Sequence, residues 1–370
     1  MRAVVLVGGE GTRLRPLTTT TPKPLLSIVG QAFLERQLAW LESHGVDDVV
    51  LSLGYLPDAF QAHFPDARCN GVHLQYAIEP YPLGTAGAIR FAAVSAGIDE
   101  RFVVCNGDVL TTLDVSALLA FHGERGAEAT IHLTRVEDPS AFGVVPTHED
   151  GEVKAFVEKP PPGAAPTDWI NAGTYVLEPS VLDDVAPDLT VSIERETFPR
   201  MLEEGRRLFA YGTDDYWLDI GTPDKYLQAH RDVLAGRIGF PPAPGAREIS
   251  PGNWVMGTQD NAPKIAPNAV LTSPVFLDAG AVVGSGAHLA GASVGVGAVI
   301  EAGAYVENAV VADGAWIGPG ARVVDSIIGP EAVVEESAIV IDHSIVGARA
   351  RVDAGLSLAG SRVEFSAAAG

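Results

Sequence analysis

The chain has few cysteines, few lysines and no long apolar run, and each shortage narrows what it can be. Two cysteines, Cys69 and Cys105, in 370 residues build neither a disulfide framework nor a thiolate metal cluster. Cys105 lies in the apolar stretch FVVCNGD and reads as a buried strand residue. No segment approaches the ~20 consecutive apolar residues that a membrane-spanning helix needs. The apolar run at the start, Ala3 to Val7, ends in glycines and is too short for the core of a secretory signal. Basic residues are scarce as well: 25 against 47 acidic ones, a net charge of −22. That balance argues against non-specific binding to nucleic acid or to an anionic membrane. It leaves room for an anionic small molecule, because a local group of cations overrides the global field. The expectation is a soluble, cytoplasmic protein that binds no nucleic acid and no membrane. Apolar residues at 47% and charged ones at 19% suit a packed chain, long enough for two domains.

Two textures divide the sequence. Up to about residue 235, short apolar runs (RAVVLV, DDVVLSLG, VHLQYAI, RFVVCNGD, EATIHLTRV) alternate with helical stretches such as AFLERQLAWLESHG, which should end at Gly45. That alternation predicts an α/β domain, residues 1–235, with a mainly parallel sheet covered by helices on both faces. Ligands of such sheets bind beyond the C-terminal ends of the strands, so functional residues should follow strands directly. Residues 236–262 are rich in proline and glycine, without a period, and read as a linker. From 263 to 370 apolar residues recur every sixth position, from Ile265 through Leu271, Leu277 and Val283 to Leu358. The step shortens to five at three places. A hexapeptide repeat of this length predicts a left-handed parallel β-helix of five to six coils.

The segment VVLVGGEGTRLRPLTTTTPKPLL follows the first predicted strand. Glycines at Gly8, Gly9 and Gly11 let a backbone approach phosphate oxygens closely. It is neither of the two common phosphate loops: Leu14 stands where the dinucleotide fingerprint needs glycine, and no Gly-Lys-Ser/Thr is present. Arg13 and Lys23 add two cations, one a bidentate fork and the other a point charge. Lys23 is one of only five lysines, set between Pro22 and Pro24, which should limit its backbone and keep it out of a helix.

Together with EPYPLGTAGAI, NGDVL, FGVV, FVEKP, INAGTYVL, SIERETFP and YWLDIGTPDKY, this segment resembles the signature of the sugar-1-phosphate nucleotidylyltransferases. PLGTAG, INAG, SIERETFP and the repeat domain are most similar to the guanylyl-transferring branch. The resemblance implies a Rossmann-like catalytic domain whose sugar phosphate attacks the α-phosphorus of a nucleotide. In the guanylyl branch the substrates are GTP and mannose 1-phosphate. Arg13 and Lys23 are then catalytic: Arg13 on the departing phosphates, cradled by Gly8, Gly9, Gly11 and Thr12, and Lys23 on the α-phosphate. Asp108 and Asp219 are implied as Mg²⁺ ligands, although Asp108 alone reads equally as a turn or helix-capping residue. Glu79, with Gly84 and Thr85, is implied on the nucleotide side. A carboxylate matches the paired N1–H and N2–H₂ donors of guanine, whereas the plain reading of Glu79 is an exposed acid in a loop. Gly143, Glu158, Lys159, Asn171 and Gly173 match the sugar-phosphate positions; by itself Lys159 is a solvated cation. Tyr216 and Trp217 read as packing residues.

Other partners stay open on the residues alone: dTTP or UTP with glucose 1-phosphate, or a non-catalytic regulatory homologue. β-Helix domains either transfer acyl groups with a histidine or serve assembly and regulation. Only His288 and His343 lie in the repeats, no acyl-carrier signature accompanies them, and the expectation is a homo-oligomer held through this domain.

Overall fold

The computed structural model describes residues 1–239 and 242–365. Phe240 and Pro241 of the expected linker, and 366–370 of the expected repeat domain, lie outside the described residues. The chain forms two compact units, one of residues 1–9 and 34–217, the other of 10–33 and 218–370.

In the first unit four parallel strands form the centre of a mixed sheet: β1 (Arg2–Leu6), β2 (Asp48–Leu53), β3 (Val72–Ile78) and β4 (Phe102–Asn106), ordered β4-β1-β2-β3. Ala3, Val4 and Val5 are all fully buried. Successive side chains point to opposite faces, so both faces are covered, which is why these strands read as unbroken apolar runs. Helix α1 (Phe33–Ser43) stops where expected, with Gly45 just beyond it at φ +80°. The later strands β5 (Ala129–Arg135), β6 (Gly143–Val144), β7 (Val157–Glu158), β8 (Trp169–Leu177) and β9 (Leu208–Gly212) form a wing. Only β9 on β5 is parallel there; β8 runs antiparallel to β4, β5 and β6, and β6 to β7. Helix α2 (Gly84–Ser95) contributes Ala86, Ile89, Ala92 and Ala93 to the core built on Val4, Val50, Val104 and Tyr175. Burial pushes the Cys105 thiol up to about 12, and burial beside Glu35 and Glu42 pushes Cys69 to about 11.

In the second unit the repeats coil into the parallel β-helix. Ile265, Val283, Ile300, Ile317, Val334 and Val352 stack in register as one wall of six rungs. Three full hexapeptides make 18 residues per coil; the five-residue steps at Val294, Val311 and Ile328 shorten their coils to 17. The inward valines, isoleucines and small alanines (Ala281, Ala298, Ala315, Ala332) are buried in one continuous core. A second wall is buried on its outer side too, at Phe276, Ser293, Val310, Ile327 and Ile345. There the 10–33 segment lies against it. Gly30, at φ +73°, leaves room for the Phe276 ring, which would stand 2.5 Å from a Cβ; Gly347 does the same beneath Pro16, at 2.8 Å. Within 236–262, Arg247–Ser250 and Asn253–Val255 pair antiparallel, and Asn253–Val255 extends the helix sheet beside Val275–Leu277. His288 bonds Thr272 and packs edge-on to Tyr305, and His343 lies beside Asp342 at a turn with φ +56°.

Ile317→Ala, in the middle rung, should lower unfolding free energy by about 2–5 kcal/mol, the usual range for a truncated core residue. Urea denaturation followed by circular dichroism measures it; an unchanged midpoint would contradict a packed helix core.

Candidate functional site

In the first unit the ends of the four parallel strands collect Gly8, Gly9, Glu79 and Asp108. Gly8 fits tightly into its surroundings: an added Cβ would stand 3.2 Å from the Gly54 nitrogen, just past β2, and 3.3 Å from Glu79 Oε1. Gly9 meets open space, with nothing within 4 Å. Glu79, directly after β3, is half-buried and held. Its Oε1 accepts from Ser52 Oγ at 3.1 Å and its Oε2 from the Leu83 amide at 3.0 Å. It is thus a fixed carboxylate in a loop, each oxygen keeping acceptor capacity. Asp108 sits in the turn after β4, not at a helix start. That turn is pinned to the end of β1 by a Gly107 N–H bond to the Leu6 carbonyl at 2.8 Å. A side chain at 107 would collide with Val7 and approach the Leu6 oxygen to 2.6 Å.

The sugar-side candidates gather on the wing. β8 pairs with β5 at both ends, but the register breaks between Asn171 and Tyr175. In that bulge Gly173 adopts φ +76°, and a Cβ there would stand 2.5 Å from Asn106 Nδ2 at the end of β4. The Asn171 side chain is tied within the bulge, Oδ1 accepting from Gly173 N at 3.0 Å and Nδ2 donating to Tyr175 Oη at 2.8 Å. Gly143 and Glu158 are direct partners across the β6–β7 pair, and Glu158 Oε2 would be 2.9 Å from a Cβ at 143. Glu158 Oε1 lies 3.8 Å from Lys159 Nζ and 3.9 Å from Arg195 Nη2. Lys159 is exposed, at φ +48°.

Gly84 and Thr85 open α2, and the structure occupies both with the 189–194 segment. A Cβ at Gly84, φ +70°, would meet the Val191 carbonyl at 2.6 Å. The Ala86 N–H donates to that carbonyl at 2.9 Å. Thr85 Oγ1 donates to Glu194 at 2.7 Å and accepts from Ile193 N at 2.8 Å. Trp217 Nε1 donates to the Ala172 carbonyl at 2.9 Å, as befits a packing residue.

The second unit carries Gly11, Thr12, Arg13, Lys23 and Asp219. Gly11, at φ +60°, lies against Thr18 and the Lys23 stem, 3.0 and 3.1 Å from an ideal Cβ. Thr12 and Arg13 follow in a single 3₁₀ turn, both exposed. Lys23 differs from its sequence reading: it begins a one-turn 3₁₀ helix, Lys23–Leu25. Pro24 fits there because the first N–H groups of a helical turn have no partner to lose. The lysine is mostly buried, and its Nζ stands 3.9 Å from Asp219 Oδ1. Two residues on, Gly221 faces the Arg13 guanidinium, which would be 2.5 Å from a Cβ. Both cations therefore gather at the Asp219–Gly221 strand end. Among the described residues no group of three or more metal-ligating side chains exists. Asp108 belongs to the first unit and Asp219 to the second; each is a carboxylate at or just past a strand end, the hard type of oxygen ligand that suits Mg²⁺.

Sequence reasoning overlooked Ser52, Tyr175, Glu194 and Arg195. A serine inside VVLSLG and the charges within SIERETFP were the available signals.

The nucleotidyl transferase family model matches residues 2–236 and the GMPPB C-terminal domain model residues 263–366. The chain is 40% identical over 293 residues to the mannose-1-phosphate guanylyltransferase of Mycobacterium tuberculosis, covering 79% of each. It is 36% identical over 300 residues to mannose-1-phosphate guanylyltransferase 1 of Arabidopsis thaliana, covering 80% of this chain and 81% of the relative. Among solved structures, HddC from Yersinia pseudotuberculosis superposes with a TM-score of 0.55 at 32% identity, over 62% of this chain and 98% of that one. The same protein complexed with GMP-PN gives 0.54 at 31%, with the same coverage.

Gly163 and Gly173 share φ +76°, but a Cβ at 163 meets nothing. Gly163→Ala should cost about 1 kcal/mol of backbone strain. Gly173→Ala should cost about 1–3 kcal/mol more through the Asn106 collision. Equal urea midpoints for the two variants would contradict the close approach at the bulge.

Proposed function

This chain belongs to the nucleotidyl transferase family, in its mannose-1-phosphate guanylyltransferase group, and we propose that it joins GTP and mannose 1-phosphate into GDP-mannose and pyrophosphate. It is a sugar-1-phosphate nucleotidyltransferase. The observation that carries the substrate assignment is the 40% identity along 79% of a relative bearing that name.

In the proposed reaction a phosphate oxygen of the sugar phosphate attacks the α-phosphorus of GTP. The bond from that phosphorus to the bridging oxygen breaks, and pyrophosphate leaves with its electrons. No protein nucleophile is needed, so the chain's tasks are to position the substrates and to offset charge. The Gly8–Thr12 loop and Arg13 hold the departing phosphates. Lys23 acts on the α-phosphate, where charge concentrates while both oxygens are partly bonded; its neighbour Asp219 holds the amine near the strand end until substrate arrives. Asp108 and Asp219 would hold Mg²⁺, which would offset phosphate charge when bound. Glu79, fixed by Ser52 and Leu83, offers its remaining lone pairs to the N1–H and N2–H₂ edge of guanine. Gly143 and Gly173 act on the sugar side by admitting Glu158 and Asn106 close to the backbone, Glu158 and Asn171 bond the sugar hydroxyls, and Lys159 holds its phosphate. The β-helix domain serves assembly into a homo-oligomer or regulation.

A pyrophosphate-release screen of the four NTPs and dTTP against several sugar 1-phosphates tests the reading, with Mg²⁺ and with EDTA. The expected result is strongest turnover with GTP and mannose 1-phosphate, abolished by EDTA; no turnover with any pair would overturn it. Glu79→Gln turns one acceptor oxygen into a donor facing guanine's donors. It should shrink the preference for GTP over dTTP by roughly tenfold or more. Unchanged discrimination would remove Glu79 as the base reader.

A further inference from the structure

One half-buried carboxylate joins the α2 loop of the first unit to the bulge in β8. Glu194 lies in a widened, π-type helical turn, Ile193–Thr197. Its Oε2 accepts from Thr85 Oγ1 at 2.7 Å and from Ser192 Oγ at 2.8 Å, and its Oε1 from Tyr175 Oη at 3.5 Å. Tyr175 accepts in turn from Asn171 Nδ2 at 2.8 Å, and Asn171 Oδ1 accepts from Gly173 N at 3.0 Å. On the other side the links continue toward Glu79. The Val191 N–H donates to the Leu83 carbonyl at 2.9 Å, and the Leu83 N–H to Glu79 Oε2 at 3.0 Å.

The chemistry of the groups gives this chain a fixed polarity. An ionised carboxylate only accepts, so Thr85, Ser192 and Tyr175 must all donate to Glu194. Tyr175 is fully buried. Burial, reinforced by the Glu194 charge, raises its hydroxyl well above the ordinary value, so it remains an O–H donor at every working pH. With its single proton spent on Glu194, the tyrosine can take only a donor from Asn171. The asparagine must therefore turn its NH₂ to Tyr175 and its carbonyl to the Gly173 amide. The Gly173 N–H, which can only donate, asks for the same orientation, so Glu194, two bonds away through Tyr175, reinforces the setting of the Asn171 amide, and the same carboxylate accepts from Thr85 at the start of α2.

We propose that Glu194 and Tyr175 are positioning residues that set the Asn171 amide for the sugar 1-phosphate and couple its binding to the nucleotide loop through Thr85. The inference rests on the proposed function only in taking Asn171 as the sugar-side group and the α2 loop as the nucleotide-side one. Neither Glu194 nor Tyr175 is catalytic; they act through Asn171 and Thr85. A purely packing role for Tyr175 would be met by its ring, which sits edge-on to Phe198 with centroids 5.4 Å apart. Phenylalanine would serve that role equally well.

The test measures both KM values and kcat for wild type, Tyr175→Phe, Glu194→Gln and Thr85→Val. Tyr76→Phe is the control, since that hydroxyl bonds only the Phe64 carbonyl, at 3.0 Å, among the described residues. Removing one such hydrogen bond is worth about threefold to tenfold. Tyr175→Phe should raise the KM for mannose 1-phosphate by that factor while the KM for GTP stays within about twofold. Glu194→Gln should raise both KM values, because the amide inserts a donor against Thr85 or Tyr175. In the double variant Thr85→Val/Tyr175→Phe the effects on the sugar KM should be non-additive. The proposal is overturned if Tyr175→Phe leaves the sugar KM at the wild-type value, raises both KM values equally, or behaves as Tyr76→Phe does. Wild-type turnover is read first. Its absence would sink the functional reading, whereas turnover without the KM split would sink only the coupling.

Discussion

The bulge in β8 is the constraint on which the geometry of the wing depends. One strand pairs with β4, β5 and β6. The register breaks between Asn171 and Tyr175, the chain takes a left-handed step at Gly173, and β8 passes closely over Asn106 at the end of β4. That places Gly173 against Asn106, two residues before Asp108. Because bulges re-aim side chains without unfolding a sheet, the bend redirects the 171–174 stretch while β8 stays paired on both sides. The Gly173 N–H and Tyr175, the latter backed by Glu194, then hold the Asn171 amide from both sides.

The phosphate side follows from a different constraint. The segment 10–33 belongs to the compact unit that contains the repeats, held where Gly30 admits Phe276 and Gly347 admits Pro16. Arg13 and Lys23 ride on that segment and meet the Asp219–Gly221 strand end. The outer surface of one β-helix wall, buried at Phe276, Val310, Ile327 and Ile345, thereby anchors the loop that carries both cations. This gives the repeat domain a mechanical role within the chain.

Legibility in the sequence followed periodicity. The repeat wall could be counted residue by residue, even to the shortened coils, since each inward position asks for an apolar side chain and little else. The parallel strands announced themselves as apolar runs, and their C-terminal ends pointed to Glu79 and Asp108. What escaped were features made by long-range pairing. Thr85 and Glu194 are 109 residues apart, and no local pattern says that a threonine hydroxyl and a distant carboxylate will meet. Ser52 lay hidden in an apolar run because its hydroxyl is spent on Glu79, 27 residues later. The 3₁₀ turn at Lys23 is hidden by its flanking prolines, which argue against helix in general although the opening positions of a turn tolerate them. Strands as short as Arg247–Ser250 leave no period to read.

The central claim is direct transfer: this chain positions two substrates and offsets charge, and no side chain takes the nucleotidyl group. The stereochemical course at phosphorus tests it most directly, using one diastereomer of GTP carrying sulfur on the α-phosphate and determining the configuration of the thio-substituted GDP-mannose formed. A single in-line displacement predicts inversion. Retention would require a second displacement through a nucleotidylated side chain and would contradict the account.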